Sequence, residues 1–256
     1  MLAPASVETP RMRCLFGAAT PGEPWRAIDP AALDVHAGPD GVLTVIHVDQ
    51  VGQVDAQRRV EAWVMAEPQE RDPPNDVFFR GLRVLVRGRR AALFGAADLT
   101  EAACAALAAF ADMRTQAHRL EDGLSGRLVF VPADAQLTHG VDRKALRQQG
   151  HVNDMTRWAT LLHLEHADLM RDLRRPGERQ GLDASARRIL GELVLQADLL
   201  GRIDNLEDTI EQVHDLYDTA NDRLLEFRYF RTEVVLEVLI LIVLLAELVL
   251  TIRDLT

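Results

Sequence analysis

The sequence predicts an α+β fold class: a small mixed α/β head domain, then an antiparallel helical hairpin or coiled-coil stalk, then one C-terminal transmembrane helix. Three observations carry this expectation. Short runs rich in β-branched residues, bounded by glycine and proline, fill residues 41–133. From Ile203 onward, apolar residues recur at alternating steps of three and four. Val234 to Ile252 is nineteen residues long with only Glu237 and Glu247 charged and neither glycine nor proline. The chain accordingly divides into an irregular N-terminal arm over 1–40, a head over 41–133, a helical stalk over 141–232 and a transmembrane helix over 233–253.

Taken in order, the arm holds six prolines (Pro4, Pro10, Pro21, Pro24, Pro30 and Pro39), a density of turn formers that opposes regular structure, with Leu15-Phe16 and Trp25 placed to pin it to the head. Val42–Val48, between Gly41 and Gly52, reads as a strand, and Val60–Met65 as a second. Asp72-Pro-Pro-Asn-Asp76 is a turn-rich break. Leu82–Val86 and Ala91–Phe94 form a hairpin with Arg87–Arg90 as its turn. Asp98 followed three residues later by Glu101 resembles a capping box, opening an alanine-rich helix to about His118. Leu128–Val131 reads as a last strand, and Asp134–Gly140 as a linker.

Beyond the linker every signal is helical. One amphipathic helix, or two broken near Gly150, covers roughly 142–174. A turn at Arg174–Gly181 leads into a helix starting after Asp183. An antiparallel hairpin is the simplest arrangement. Run unbroken to Ile252, that last helix is a rod on the order of 100 Å long. Ile203, Leu206, Ile210, Val213, Tyr217, Ala220, Leu224 and Phe227 make the a/d seam of four heptads. The seam has two uses open to it: packing on the chain's own upstream helix, or on a second protomer.

At ~1.5 Å per residue the apolar tail is about 28 Å long, close to the ~30 Å hydrocarbon core of a bilayer. On an insertion scale a central charge costs roughly 2.5–3.5 kcal/mol against about 0.3–0.6 returned by each Leu, Ile or Val, so the balance lies near zero or modestly toward insertion. The other environment for such a helix is a buried core. Glu233, Glu237, Ile240, Leu244, Glu247 and Thr251 lie on one stripe. Acids inside a membrane face protein or water, so the stripe is expected to meet a helix of a second copy or a partner. Acids marking the headgroup zones are the plainer alternative. Arg223, Arg228 and Arg231 precede the segment and Arg253 alone follows it, which keeps the head cytoplasmic under the positive-inside bias.

The tail also resembles a known signature. Arg231, then Leu236-Glu237, a run of aliphatics and a second acid at Glu247 are similar to the C-terminal end of the required-for-meiotic-nuclear-division family, which reads Arg, Leu-Glu-Trp, aliphatics, Glu. Val238 stands where that family has its tryptophan. Leu216-Tyr217 and Leu224–Arg228 resemble the helix leading into that tail, and Ala91–Gly95 with the acid-rich helix start its early strand-and-helix unit. The resemblance implies an α/β head, helices and a single C-terminal membrane anchor, with members at the mitochondrial inner membrane connected with organelle gene expression. It implies no catalytic activity and no cofactor.

Composition narrows the function classes. A net charge of −10 opposes nucleic-acid binding, which needs clustered Lys and Arg, and Lys144 is the only lysine. Cys14 and Cys104, far apart, exclude a disulfide framework and form no CxxC metal pair. The N-terminus lacks the basic start and apolar core of a signal peptide.

For chemistry, His163-Leu-Glu-His166 is the densest titratable cluster, with Asp168 beside it and His151 or His214 as a third ligand from a facing helix. Two histidines three apart share a helix face, as in zinc helices, although solvated polar residues make the same pattern. Arg87-Gly-Arg-Arg90 offers a small anion site or a solvated turn. Ser6, Ser125 and Ser185 are the only serines, none in a GxSxG elbow, and no P-loop or GxGxxG stands in the chain.

The expectation is therefore a non-enzymatic, C-terminally anchored membrane protein: an oligomeric scaffold or assembly factor without catalytic residues or cofactor. Its head is cytoplasmic, its single pass is membrane-embedded, and its oligomer or partner-helix interface is Ile203, Leu206, Ile210, Val213, Glu237 and Glu247. The alternative is a metal-dependent hydrolase using His163, Glu165 and His166.

Overall fold

A computed structural model describes residues 12–16, 26–28, 43–48, 54–67, 71–138, 145–178 and 181–254, with side chains of the last helix described through Glu247. The chain divides into two compact units, Met1–Arg119 with Ala167–Asn205, and Leu120–His166 with Leu206–Thr256.

The first unit is built on a six-stranded sheet of order β2-β1-β3-β6-β5-β4. Its strands are β1 (Met12–Phe16), β2 (Arg26–Ile28), β3 (Thr44–Val48), β4 (Asn75–Phe79), β5 (Leu82–Arg87) and β6 (Arg90–Phe94). The stretch expected to be an irregular arm thus contributes β1 and β2; Trp25 lies outside the described residues. All contacts are antiparallel except β3 with β6, which run parallel in the register Val45 to Ala91. A parallel neighbour requires a crossover, and α1 (Val54–Met65) lies within it. With neighbours on both sides, every residue of β3 is buried.

Two hairpins supply the other strands. Arg80 and Gly81 both have positive φ, 47° and 83°, the requirement of the two-residue turn that suits twisted strands. Gly88, at φ 56°, turns β5 into β6 inside the expected Arg87–Arg90 segment. Gly95 is irreplaceable on packing grounds: a Cβ there would lie 2.7 Å from the Gly81 carbonyl oxygen.

Four expectations change. Val60–Met65 is helix, because Ala56, Val60, Trp63 and Val64 form one buried stripe of helical period over the longer window. The break at Asp72–Asp76 gives way to β4, where Asn75 and Val77 point inward and Phe78 outward. Leu128–Val131 is no strand: α2 (Thr100–Leu128) continues ten residues past His118, carried by buried Leu120 and Leu124. Asp134 is likewise no linker residue, since it ends the short helix α3 (Val131–Asp134) and is buried.

Edge strand β4 does not end in open backbone. The Gln196 carboxamide accepts from the Asp76 N–H at 2.6 Å and donates to the Asp76 carbonyl at 3.2 Å, acting as a one-residue strand mimic. Arg83 on β5 grips both oxygens of Asp76, at 2.7 and 2.8 Å, and also bonds Glu61 on α1. These contacts hold its guanidinium in the charged form.

The remaining helices are α4 (Gln149–Arg174), α5 (Ala184–Gln196), α6 (Leu199–Asp204) and α7 (Glu207–Asp254). The expected unbroken helix from Asp183 is therefore three. At ~1.5 Å per residue, α7 alone is about 72 Å long. In the second unit its seam is consumed internally. Val213 and Tyr217 pack with Met155 and Ala159, and Ala220 and Leu224 with Val152 and Leu137. Ile203, in the first unit, is fully buried as well. The coiled-coil and oligomer expectations are corrected on this ground: Ile203, Ile210 and Val213, at most 3% exposed, have no surface left for a second protomer, and Leu206 is only partly exposed.

The membrane expectation is also corrected. Among the described residues no helix is long and apolar enough to cross a membrane. Between Glu237 and Glu247 the described apolar run is Val238–Ala246, about 14 Å at ~1.5 Å per residue against a ~30 Å hydrocarbon core. Extending it backward takes in Glu233 and Arg231. The transmembrane helix, the tail anchor, the single-pass localisation with a cytoplasmic head and the anchored-scaffold function fall with it, as does the membrane as a partner. Large apolar side chains from Tyr229 to Leu245 are exposed on every side of α7.

The two ends of α7 should therefore respond differently to truncation. Leu224→Ala, in a closed core, should cost about 2–5 kcal/mol. Leu239→Ala, exposed on α7, should change stability by less than about 0.5 kcal/mol. Urea unfolding of the two variants against the parent chain measures both.

Candidate functional site

The strongest concave feature lies in the first unit, where the end of α4 meets α5 and α6. Asp183 caps α5, its Oδ1 accepting from the Ala186 N–H at 2.6 Å. Ala186, Ile189, Leu190, Leu193 and Val194 form the buried face of α5, which lies along β4. At Asp198 the backbone turns left-handed, with φ 48° and ψ 36°, and starts α6 in a new direction. Helix α6 is tied down by buried Leu199 and Ile203 and by Arg202, whose Nη1 donates to Asp72 Oδ1 at 2.7 Å. The other oxygen of Asp72 meets His118 Nε2 at 3.0 Å. One buried carboxylate thus joins α2 and α6 to the segment before β4.

The elbow leaves a half-open cleft of about 560 Å³. Leu173, Val194, Leu195 and Leu200 supply apolar lining, with Pro176 and two glycines, Gly191 and Gly201, beside them. Leu195 is 75% exposed and Leu200 37%, so the cleft presents uncovered aliphatic surface. Arg174, Asp198 and Asp204 provide its charges, and Arg174 Nη2 stands 3.6 Å from Asp204 Oδ1. The lining has no serine, cysteine or histidine.

None of the interface or metal residues singled out from the sequence lines the cleft, Ile203 of α6 included. Ile210, Val213 and Leu206 belong to the second unit, as do Glu237 and Glu247, both exposed on α7. The hydrolase alternative is corrected. Among the described residues no three His, Cys, Asp or Glu side chains converge on a metal position. His163 and Glu165 are exposed while His166 is 4% exposed, so the helix turns the two histidines into different environments. His163 does meet His214 on α7, ring centroids 5.5 Å apart, but no third ligand closes that pair among the described residues. The Arg87–Arg90 turn is bound back to the protein. Arg87 donates to the Met65 carbonyl, and Arg90 donates to the Trp63 carbonyl at 2.8 Å and meets Glu67 at 2.6 Å.

Buried titratable groups in the second unit are structural. Asp134 Oδ2 receives the Tyr217 hydroxyl at 2.7 Å and His151 Nε2 at 2.9 Å. Tyr217 is completely buried, and that burial, then the bond to Asp134, pushes its hydroxyl well above the usual tyrosine range. In the first unit Cys104 lies in the α2 core. Burial, with the charge of Glu101 adding to it, pushes its thiol up to about 12.

The cleft was not singled out from the sequence. Its signals were Gly191 inside an amphipathic helix and the pair Asp198 and Gly201, all read as parts of one long helix. Identifying them as a site required knowing where that helix breaks. No protein-family model and no curated protein matches the chain.

The raised Cys104 and Tyr217 groups make stability fall on the alkaline side. Unfolding lets both ionise at lower pH than they do in the fold, so their contribution is intact below the ordinary thiol value and is lost as pH climbs. For Cys104 the window is about 9 to 12. The urea midpoint should be flat below this window and fall across it, and Cys104→Ala should remove part of the fall. Native Cys104 should resist iodoacetamide at pH ~8, because it is buried and a thiol pushed up to about 12 carries almost no thiolate at that pH.

Proposed function

We propose that this chain is a non-catalytic binding protein whose α4–α5–α6 cleft takes the apolar part of a small ligand. One observation carries the reading: an open apolar cleft with a mid-helix glycine in its wall. Gly191 sits within α5, where glycine is about 1 kcal/mol less favourable than alanine. A Cβ at that position would meet nothing within 4 Å, so no packing conflict demands the glycine. The helix tolerates the unfavourable residue, and the result is space in the cleft wall.

Size and chemistry support the same reading. Small-molecule sites occupy roughly 300–1,000 Å³ and are mostly apolar with a few polar groups. The volume here, about 560 Å³, falls inside that range, with three charged residues among the lining. Without a hydroxyl, thiol or imidazole in the lining, binding is the chemistry the cleft supports best.

A size series at Gly191 tests this. Gly191→Ala should raise stability by about 1 kcal/mol, roughly 2–4 °C in Tm, and leave the cleft open. Gly191→Leu should fold as stably as Gly191→Ala while filling the cleft. Titration of the ¹⁵N-labelled full chain with 1-octanol should shift the amides of α5 and α6 in the parent and the alanine variant, and not in the leucine variant. Equal octanol response in the leucine variant would refute the reading.

A further inference from the structure

The cleft carries a second feature that its apolar lining does not explain. Asp198 is one of two non-glycine residues with positive φ among the described residues, a conformation that L side chains adopt reluctantly. It occupies the N-cap position of α6 yet its side chain makes no capping bond, in contrast to Asp183 at the start of α5. No described residue pairs with its carboxylate.

The Asp198 carboxylate occupies the space that a side chain at position 201 would otherwise take. A Cβ on Gly201 would lie 2.6 Å from Asp198 Oδ1, so only glycine at 201 leaves the carboxylate where it stands, on the cleft wall. Gly191 clears one part of the cleft for apolar atoms, and Gly201 clears another for a negative charge. Asp204, the second acid of the lining, already faces Arg174. The three charges sum to −1, and the uncompensated one is Asp198.

We propose that the ligand is an amphiphile with a protonated amine at one end. Its alkyl body lies on Leu173, Val194, Leu195 and Leu200, and its ammonium group meets the Asp198 carboxylate. This rests on the binding reading of the cleft and adds the chemistry of the ligand's head. A carboxylate or phosphate head would face the uncompensated Asp198 with like charge and bind more weakly than a neutral one.

Three ligands of one chain length separate body from head: octylammonium, 1-octanol and octanoate, each titrated into the ¹⁵N-labelled full chain and followed at the α5 and α6 amides. Local amides also distinguish the cleft from the exposed apolar part of α7. Octylammonium should bind roughly two- to fivefold tighter than octanol, the range an exposed ion pair supports, with octanoate weakest. Asp198→Asn keeps a residue that tolerates the left-handed conformation and removes the charge, so it should bring the three affinities within about twofold while octanol binding stays. An equal response of the parent chain to all three heads, abolished by Gly191→Leu, would overturn the amine and leave the cleft reading standing. A head preference that survives Asp198→Asn would also overturn the assignment to Asp198. No shift of α5 or α6 amides with any ligand would overturn both readings together.

Discussion

The interruption of the helical chain between Gln196 and Glu207 is the constraint on which the rest depends. A continuous helix would carry Leu199 and Ile203 along the same axis as α5, with no means of returning them to the first unit's core. The left-handed residue at Asp198 redirects the chain, and α6 is then short enough to bury both residues and bring Arg202 to Asp72. The same redirection makes the cleft, since the angle between two successive helices is a concavity by construction. Left-handed backbone at a non-glycine residue costs of order 1–3 kcal/mol, offset here by the packing of α6.

Polar groups organise this fold at a few buried points rather than along extended networks. Asp72 in the first unit and Asp134 in the second each accept from two partners that come from different helices. A buried carboxylate left without its donors is costly, so each of these acids sets the positions of two elements at once. Neither lies in the cleft. One of the cleft's two acids, Asp198, has the opposite character: its carboxylate is exposed and paired with no described residue, and left-handed backbone carries it. Its backbone thus builds the turn into α6 while its carboxylate stays open to solvent.

The seam of α7 shows how one pattern permits two outcomes. A three-four repeat specifies an apolar stripe and says nothing about which surface covers it. Met155, Ala159 and Val152 of the same chain cover it here, and Tyr217 is sealed by its bond to Asp134. The stripe ends near Leu224, and beyond it the exposed aliphatics surround α7 on all sides instead of following one face. The segment from Tyr229 to Leu245 therefore obeys no amphipathic rule.

Local periodicity by itself determined the start of the alanine-rich helix, the helical character of the described residues after Ala145, the hairpin through Gly88, the strand at Thr44–Val48 and the identity of the seam, while it read Leu128–Val131 as strand and Asp134–Gly140 as linker. Each of the features it determined is written in the spacing of residues near one another in the chain. It could not distinguish Val60–Met65 from a strand, because six residues of mixed apolar character fit both periods until Ala56 is added. Tertiary structure alone decided that β3 and β6 lie side by side, that α5 and α6 break at Asp198, and that Gly191 and Gly201 open one cleft. Those facts depend on surfaces from distant segments meeting, and a left-handed residue is paid for by packing that no window of sequence contains.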